Sequence, residues 1–226
     1  EINDSYIGSI LQLVDSTIPD FTKFSLTAGI RGDISAPRLE AVAASLYGLD
    51  GFEAQVRGAL DNVVLSKGLQ LDVSLKAPNL KELSSLGLLG EDPVDEDVLT
   101  LGLEGFSGTL TGDLNALKLA DATLSLKGFN GVEVRAEGAV DNLELLKGLQ
   151  LDVSLKAPNI KSLSGLGLLG EDPVDETLLA LGPVDFSGKL SGDLNALKLA
   201  DATLRLKEFN GVEVRAEGAV DNLELL

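Results

Sequence analysis

The sequence predicts a mainly β fold: an elongated repeat array built on an antiparallel sheet, with one short helical excursion in each 80-residue unit. Three observations carry this. Blocks of sequence recur 80 residues apart. Within a block, apolar and polar residues alternate with a period of two, the pattern of a strand with one dry and one wet face. Turn-forming residues punctuate the alternating rows at short intervals.

The repeat sets the boundaries. GLQLDVSLKAPN spans Gly68–Asn79 and returns at Gly148–Asn159; GEDPVDE spans Gly90–Glu96 and returns at Gly170–Glu176. Residues 68–147 and 148–226 are therefore near-identical units, the second stopping inside the pattern. Residues 1–67 hold a diverged, partial unit in the same phase, with Gly58 and Asp61-Asn62 standing 80 residues before Gly138 and Asp141-Asn142. Each unit is expected to bury its apolar face only with help from its neighbours. The first residues do not read as a signal peptide, and no run of about 18 apolar residues occurs. The chain is read as a fragment of a longer array.

Four alternating rows follow one another in a unit. The first holds Phe106, Leu110 and Leu114, sharing a face with Gly108 and Gly112. The second holds Ala122, Leu124 and Leu126 opposite Thr123, Ser125 and Lys127. Its phase slips between Leu119 and Ala122, so Ala120-Asp121 is read as a bulge or short turn. The third holds Val132, Val134, Ala136 and Val140; the fourth holds Leu149, Leu151, Val153, Leu155 and Ala157. Gly112-Asp113, Asn130-Gly131, Asp141-Asn142 and Lys147-Gly148 supply residues that tolerate positive φ at the turns. An antiparallel meander of about four strands per unit results. The exception begins at Asn159, an N-cap candidate, after which Ile160, Leu163, Leu166 and Leu169 recur at helical spacing. Gly165, Gly167 and Gly170 limit that helix to a turn or two, and Asp172-Pro173 opens a second short turn over Val174–Leu181.

Composition removes several chemistries. Cys, Met, His and Trp are absent, which excludes thiol nucleophiles, disulfides, imidazole bases and imidazole or thiolate metal sites. The net charge is −18, which repels nucleic acid phosphates. The acidic stretches Glu91–Asp97 and Glu171–Glu176 have carboxylates for Ca²⁺ but lack the ligand spacing of a calcium loop, and read as solvated helix caps. Asp33, Asp113 and Asp193 recur after glycines and read as turn formers, not catalytic groups. No metal, no organic cofactor and no enzyme activity are expected.

The apolar face carries the functional reading. The helical excursion offers three or four Leu or Ile per unit, too few to cover the strand rows. The remainder must be hidden by curling, by another protomer, or by a ligand with long apolar chains. In-facing Gly108, Gly112, Ala136, Gly138 and Ala157 are expected to permit curvature and leave volume open. Candidate lining residues are Leu69, Leu71, Val73 and Leu75; Phe106, Leu110, Leu124 and Leu126; Val132, Val134 and Val140; Leu149, Leu151, Val153 and Leu155; and Leu204, Leu206, Val212 and Val214. A closed apolar core in a structural or adhesive repeat, a spacer or surface filament, is the alternative.

The FSGxLxGDL opening at Phe106 and Phe186, the following LKLADATLxLK, then GVEVRAEGAVDN and the GLxLDVSLKAPN strand leading to a Leu-rich helix resemble the AsmA-like family. Its TamB- and YhdP-type members are bridge-like lipid-transfer proteins of the bacterial envelope. The resemblance implies a sheet curled into a taco-like trough whose apolar inner face holds phospholipid acyl chains between membranes. It further implies a periplasmic location, phospholipid as ligand and membrane proteins at the ends of the full-length chain. Self-association as a homo-oligomer would be a further way to cover the face.

Overall fold

The computed structural model describes residues 21–33, 35–48, 51–85, 96–128, 130–166, 175–179, 181–207 and 213–223. Eleven strands form one antiparallel sheet in which each strand pairs with its neighbours in sequence. They are β1 (Phe21–Arg31), β2 (Arg38–Gly48), β3 (Glu53–Asn62), β4 (Lys67–Ala77), β5 (Gly102–Asp113), β6 (Ala116–Lys127), β7 (Glu133–Asn142), β8 (Lys147–Ala157), β9 (Val184–Asp193), β10 (Ala196–Lys207) and β11 (Glu213–Leu223). Among the described residues β1 and β11 do not pair, so the described sheet is open. The expected four-strand unit is present: β5 to β8 make a full one, with β1 to β4 before it and β9 to β11 after.

Alternation along each strand becomes rows across the sheet. On one face Leu46, Ala54, Leu75, Phe106, Leu124, Ala136, Val153 and Gly188 stand in register on consecutive strands. The adjoining polar-face row reads Ser45, Gln55, Ser74, Ser107, Thr123, Glu137, Asp152 and Lys189. Opposite charges face each other at Glu53 and Lys76, Arg57 and Asp72, and Glu133 and Lys156, which favours this register over a slipped one. The ion pairs formed on the sheet are exposed, as at Lys127–Glu133 (3.8 Å), and contribute little.

The phase slip read at Ala120-Asp121 is a bulge. Thr109 pairs with Ala120 and Ser107 with Thr123, so Gly108 alone faces two residues of β6. Asp121 takes φ 48°, and Ala41 and Asp201 repeat this at φ 49° and 50° in β2 and β10. The extra residue returns the apolar side chains of both halves of the strand to one face. Leu114, placed by the sequence reading in the first row, instead lies in the β5–β6 turn with 58 % of its surface exposed. That strand ends one residue earlier, at Asp113, where the chain reverses.

Two of the recurrent aspartates, Asp113 and Asp193, bond a neighbouring hairpin. The backbone N–H of Gly68 donates to Asp113 Oδ1 (3.1 Å), and that of Gly148 donates to Asp193 Oδ1 (2.9 Å). Each carboxylate thus ties its own hairpin to the preceding one. Asp193→Ala is expected to lower stability by about 1 kcal/mol, and adding Asp113→Ala to double the loss, as measured by chemical denaturation.

Helical pieces leave the sheet after β4 and β8: α1 (Leu80–Ser85) and α2 (Glu96–Leu99), then a 3-10 helix (Ile160–Leu166) and α3 (Glu176–Leu179). The expected N-cap is present, with Asn159 Oδ1 accepting from Ser162 N at 2.9 Å; Asn79 does the same for Glu82 N at 3.1 Å. Near-identical segments nevertheless wind differently. Ile160, Ser162 and Gly165 replace Leu80, Glu82 and Ser85, all changes toward weaker helix formers, and Ser162 Oγ also bonds Asn159 Oδ1 (2.9 Å). Leu169 and Asp172-Pro173 lie outside the described residues, as do most of both acidic stretches.

Candidate apolar binding face

The helical pieces pack on the apolar face along one rim, where β4 and β8 end. Phe52, Ala77, Leu80, Leu83, Leu101 and Leu103 form one buried cluster, against which Leu75, Phe106, Leu124 and Leu126 lean. Val132, Ala157, Leu163 and Val184 form the equivalent cluster in the next unit, with Val134, Leu155, Leu204 and Leu206 beside it. Phe52 precedes Val132 by one repeat and fills the same place. The sequence reading missed it because the first unit is diverged, although the 80-residue offset would have found it.

Away from that rim the face has no second layer among the described residues. The candidate lining residues divide accordingly. Leu69, Leu71, Val73, Leu75, Phe106, Leu110, Leu124 and Leu126 are half-buried, as are Val134, Leu151, Val153, Leu155, Leu204 and Leu206. Val214 is 49 % exposed. Val132 is sealed at 0 % exposure under the 3-10 helix, so it supports the rim and does not line an open surface. Val140 and Leu149 are also buried, joining Leu119, Ala122 and Leu197 in a third cluster near the opposite rim. Val212 lies outside the described residues.

The in-facing glycines do not leave volume open. A Cβ on Gly108 would stand 2.7 Å from Leu119 Cδ1, and one on Gly188 would stand 2.8 Å from Leu199 Cδ1. A leucine from the neighbouring strand thus fills the place each glycine vacates. Gly138 is more constrained still: its Cβ would stand 1.9 Å from the Gln150 carbonyl oxygen. These glycines permit close strand approach, not a lumen.

Two depressions lie on the polar face. One, of about 660 Å³, is bordered by Gln55, Ser74, Ser107, Thr123, Arg135 and Glu137; the other, of about 440 Å³, by Asp152, Ser187, Lys189 and Asp201 as well as Arg135 and Glu137. Some of their polar side chains pair with one another, as in Ser107–Thr123 (2.7 Å) and the Lys189–Asp201 ion pair (3.2 Å). What the apolar face offers is area: aliphatic rows in register across the strands, unprotected over much of their length.

The rim opposite the helices is itself apolar. Val64, Leu65, Leu114, Leu145 and Leu194 sit in successive hairpin turns and are all among the exposed large hydrophobic residues. Asn62 and Asn142 accept backbone N–H groups of Leu65 and Leu145 at 2.9 Å, fixing turns that leave those side chains outward. Among the described residues no group of acidic residues is arranged to hold a metal, and no helix is long and apolar enough to cross a membrane.

Compared with known proteins, the chain matches no family model, no curated protein and no solved structure.

Proposed function

We propose that this chain is a segment of a bridge-like conduit that carries phospholipid acyl chains on its apolar sheet face. The observation that carries the reading is the half-buried state of Leu71, Leu110, Leu151 and Val153 on a sheet with no second layer over them among the described residues. Full burial of such a side chain is worth about 1.5–3 kcal/mol, so each row forgoes part of that stabilisation until something apolar lies on it. Aliphatic rows without aromatic pockets bind hydrocarbon uniformly along the sheet, which suits sliding better than fixed residence. Under this reading the chain works between the membranes of a bacterial envelope, with phospholipid as cargo and membrane proteins at the ends of a longer array.

The test is extraction of purified protein with organic solvent followed by mass spectrometry, together with loading of a labelled phospholipid. Lipid is expected to co-purify. Leu151→Asp is expected to reduce loading several-fold while shifting the thermal midpoint only slightly, because an aspartate there keeps access to water. If no lipid co-purifies and none can be loaded, the conduit reading fails, and the closed structural repeat takes its place.

A further inference from the structure

The rim opposite the helical pieces is toothed. β3 and β4 are joined by four residues, 63–66, and β7 and β8 by four, 143–146; β5 and β6 are joined by two, 114–115, and β9 and β10 by two, 194–195. Neighbouring turns are bonded to one another: the N–H of Leu114 donates to the Ser66 carbonyl (3.1 Å), that of Leu143 to Leu117 (2.9 Å) and that of Leu194 to Leu146 (3.0 Å). The crest of each short turn is thereby fixed at the base of the long turn before it, and the long turns stand proud. Teeth and notches both end in apolar side chains. Val64, Leu65 and Leu145 on the teeth, and Leu114 and Leu194 in the notches, each expose 39–64 % of their surface. Turn geometry does not call for such residues. Leu146 is held at φ 45°, where asparagine or glycine fits with less strain. Net charge is kept off this rim as well. Its five turns, counted with three residues of each flanking strand, hold six basic and seven acidic residues, against 18 and 36 in the chain. Apart from Ile34, all five turns lie within the described residues.

We infer that this rim docks against the same rim of a second copy of the chain, about a two-fold axis normal to the sheet. An edge that repeats long, short, long, short fits itself when reversed, because teeth enter notches at every position. In the register of greatest overlap the axis passes between the β5–β6 and β7–β8 turns. Leu114 then meets the partner's Leu145, and Leu65 meets the partner's Leu194, an isologous contact in which each apolar tip finds an apolar partner. A near-neutral rim lets two copies approach although each carries a net charge of −18. A bilayer fits less well. A flat surface is reached by the long turns and leaves Leu114 and Leu194 short of it. The five turns also contain neither the aromatic residues nor the basic excess that favour membrane interfaces. Because the axis is normal to the sheet, the two apolar faces point the same way and form one floor twice as wide, with helical pieces along both outer sides. The inference stands whether or not that floor carries lipid.

Sedimentation equilibrium of the purified chain tests this, with the Leu65→Ser/Leu145→Ser double variant alongside. A concentration-dependent dimer is expected. The double variant should raise its dissociation constant at least about tenfold while leaving the far-UV circular dichroism unchanged, because both side chains point into solvent. Ile30→Ser on β1 and Leu151→Ser on the apolar face should leave the dissociation constant as it is. The chain has no cysteine, so disulfide trapping reads the register. A mixture of Leu114→Cys and Leu145→Cys chains should form the mixed disulfide well ahead of either homodisulfide. Like positions would stand about 10 Å apart, two strand spacings and beyond the reach of a disulfide. A chain that stays monomeric, a dimer lost through Ile30→Ser or Leu151→Ser, or equal rates for the three disulfides would each overturn the inference. So would binding of the monomer to phosphatidylcholine vesicles that the double variant abolishes, which would assign the rim to a bilayer.

Discussion

Gly138→Ala is expected to destabilise the protein by about 3 kcal/mol or more, although it adds one methyl group. The added carbon would lie 1.9 Å from the Gln150 carbonyl oxygen and 2.9 Å from its carbonyl carbon. Neither belongs to a flexible side chain. Both are backbone, held by the β7–β8 ladder, so relief requires separating the two strands. The residue also sits at φ 151°, a conformation that non-glycine residues adopt only under strain. Gly58→Ala should match it, since its surroundings are the same to a tenth of an ångström for the nearest atom. Gly218→Ala is the control and should stay within about 0.5 kcal/mol of the parent. Thermal unfolding followed by far-UV circular dichroism distinguishes them; equal midpoints for Gly138→Ala and Gly218→Ala would mean that the β7–β8 joint is looser than described.

Val132→Asp is the second large effect, expected to cost about 4 kcal/mol. Val132 has no exposed surface and is clustered with Ala157, Leu163 and Val184. No buried polar or charged side chain exists among the described residues to receive a carboxylate. The carboxylate must therefore stay unpaired, take up a proton, or push the 3-10 helix off the sheet. The last outcome has a signature: faster tryptic cleavage at Lys161, beside Leu163. Val214→Asp, on a strand where the apolar face is exposed, should change stability by less than about 1 kcal/mol. A Val132→Asp protein with parental stability and unchanged cleavage would show that the helical excursion is not packed on the rim.

The strands were legible because a strand exposes its period directly: Leu149, Leu151, Val153 and Leu155 announce a face without reference to any other strand. The bulge was legible for the same reason, since an extra residue at Asp121 breaks that period in place. Features that depend on a neighbour were not. That Leu119 would occupy the space beside Gly108 follows only once β5 and β6 are in register, and alternation alone makes a small residue look like a void. The outward Leu65 and Leu145 were hidden by a similar limit: a turn is recognised by its polar and glycine residues, which say nothing of where the remaining side chains point. The division of the face, sealed at Val132 and open at Leu151, depends on where the helical excursions land, and short glycine-interrupted segments do not encode that reach by themselves.

Each repeat contributes four strands to a meander that reverses direction at every turn, and four is an even number. After each unit the chain therefore comes back to the side from which it started, so α1 and the 3-10 helix emerge on the same flank. A unit of three or five strands would send successive helical segments to alternate flanks and cover both. Whatever approaches the bare aliphatic surface thus meets the same asymmetry in every unit: a walled side and an unwalled side that never exchange places, however many copies are added.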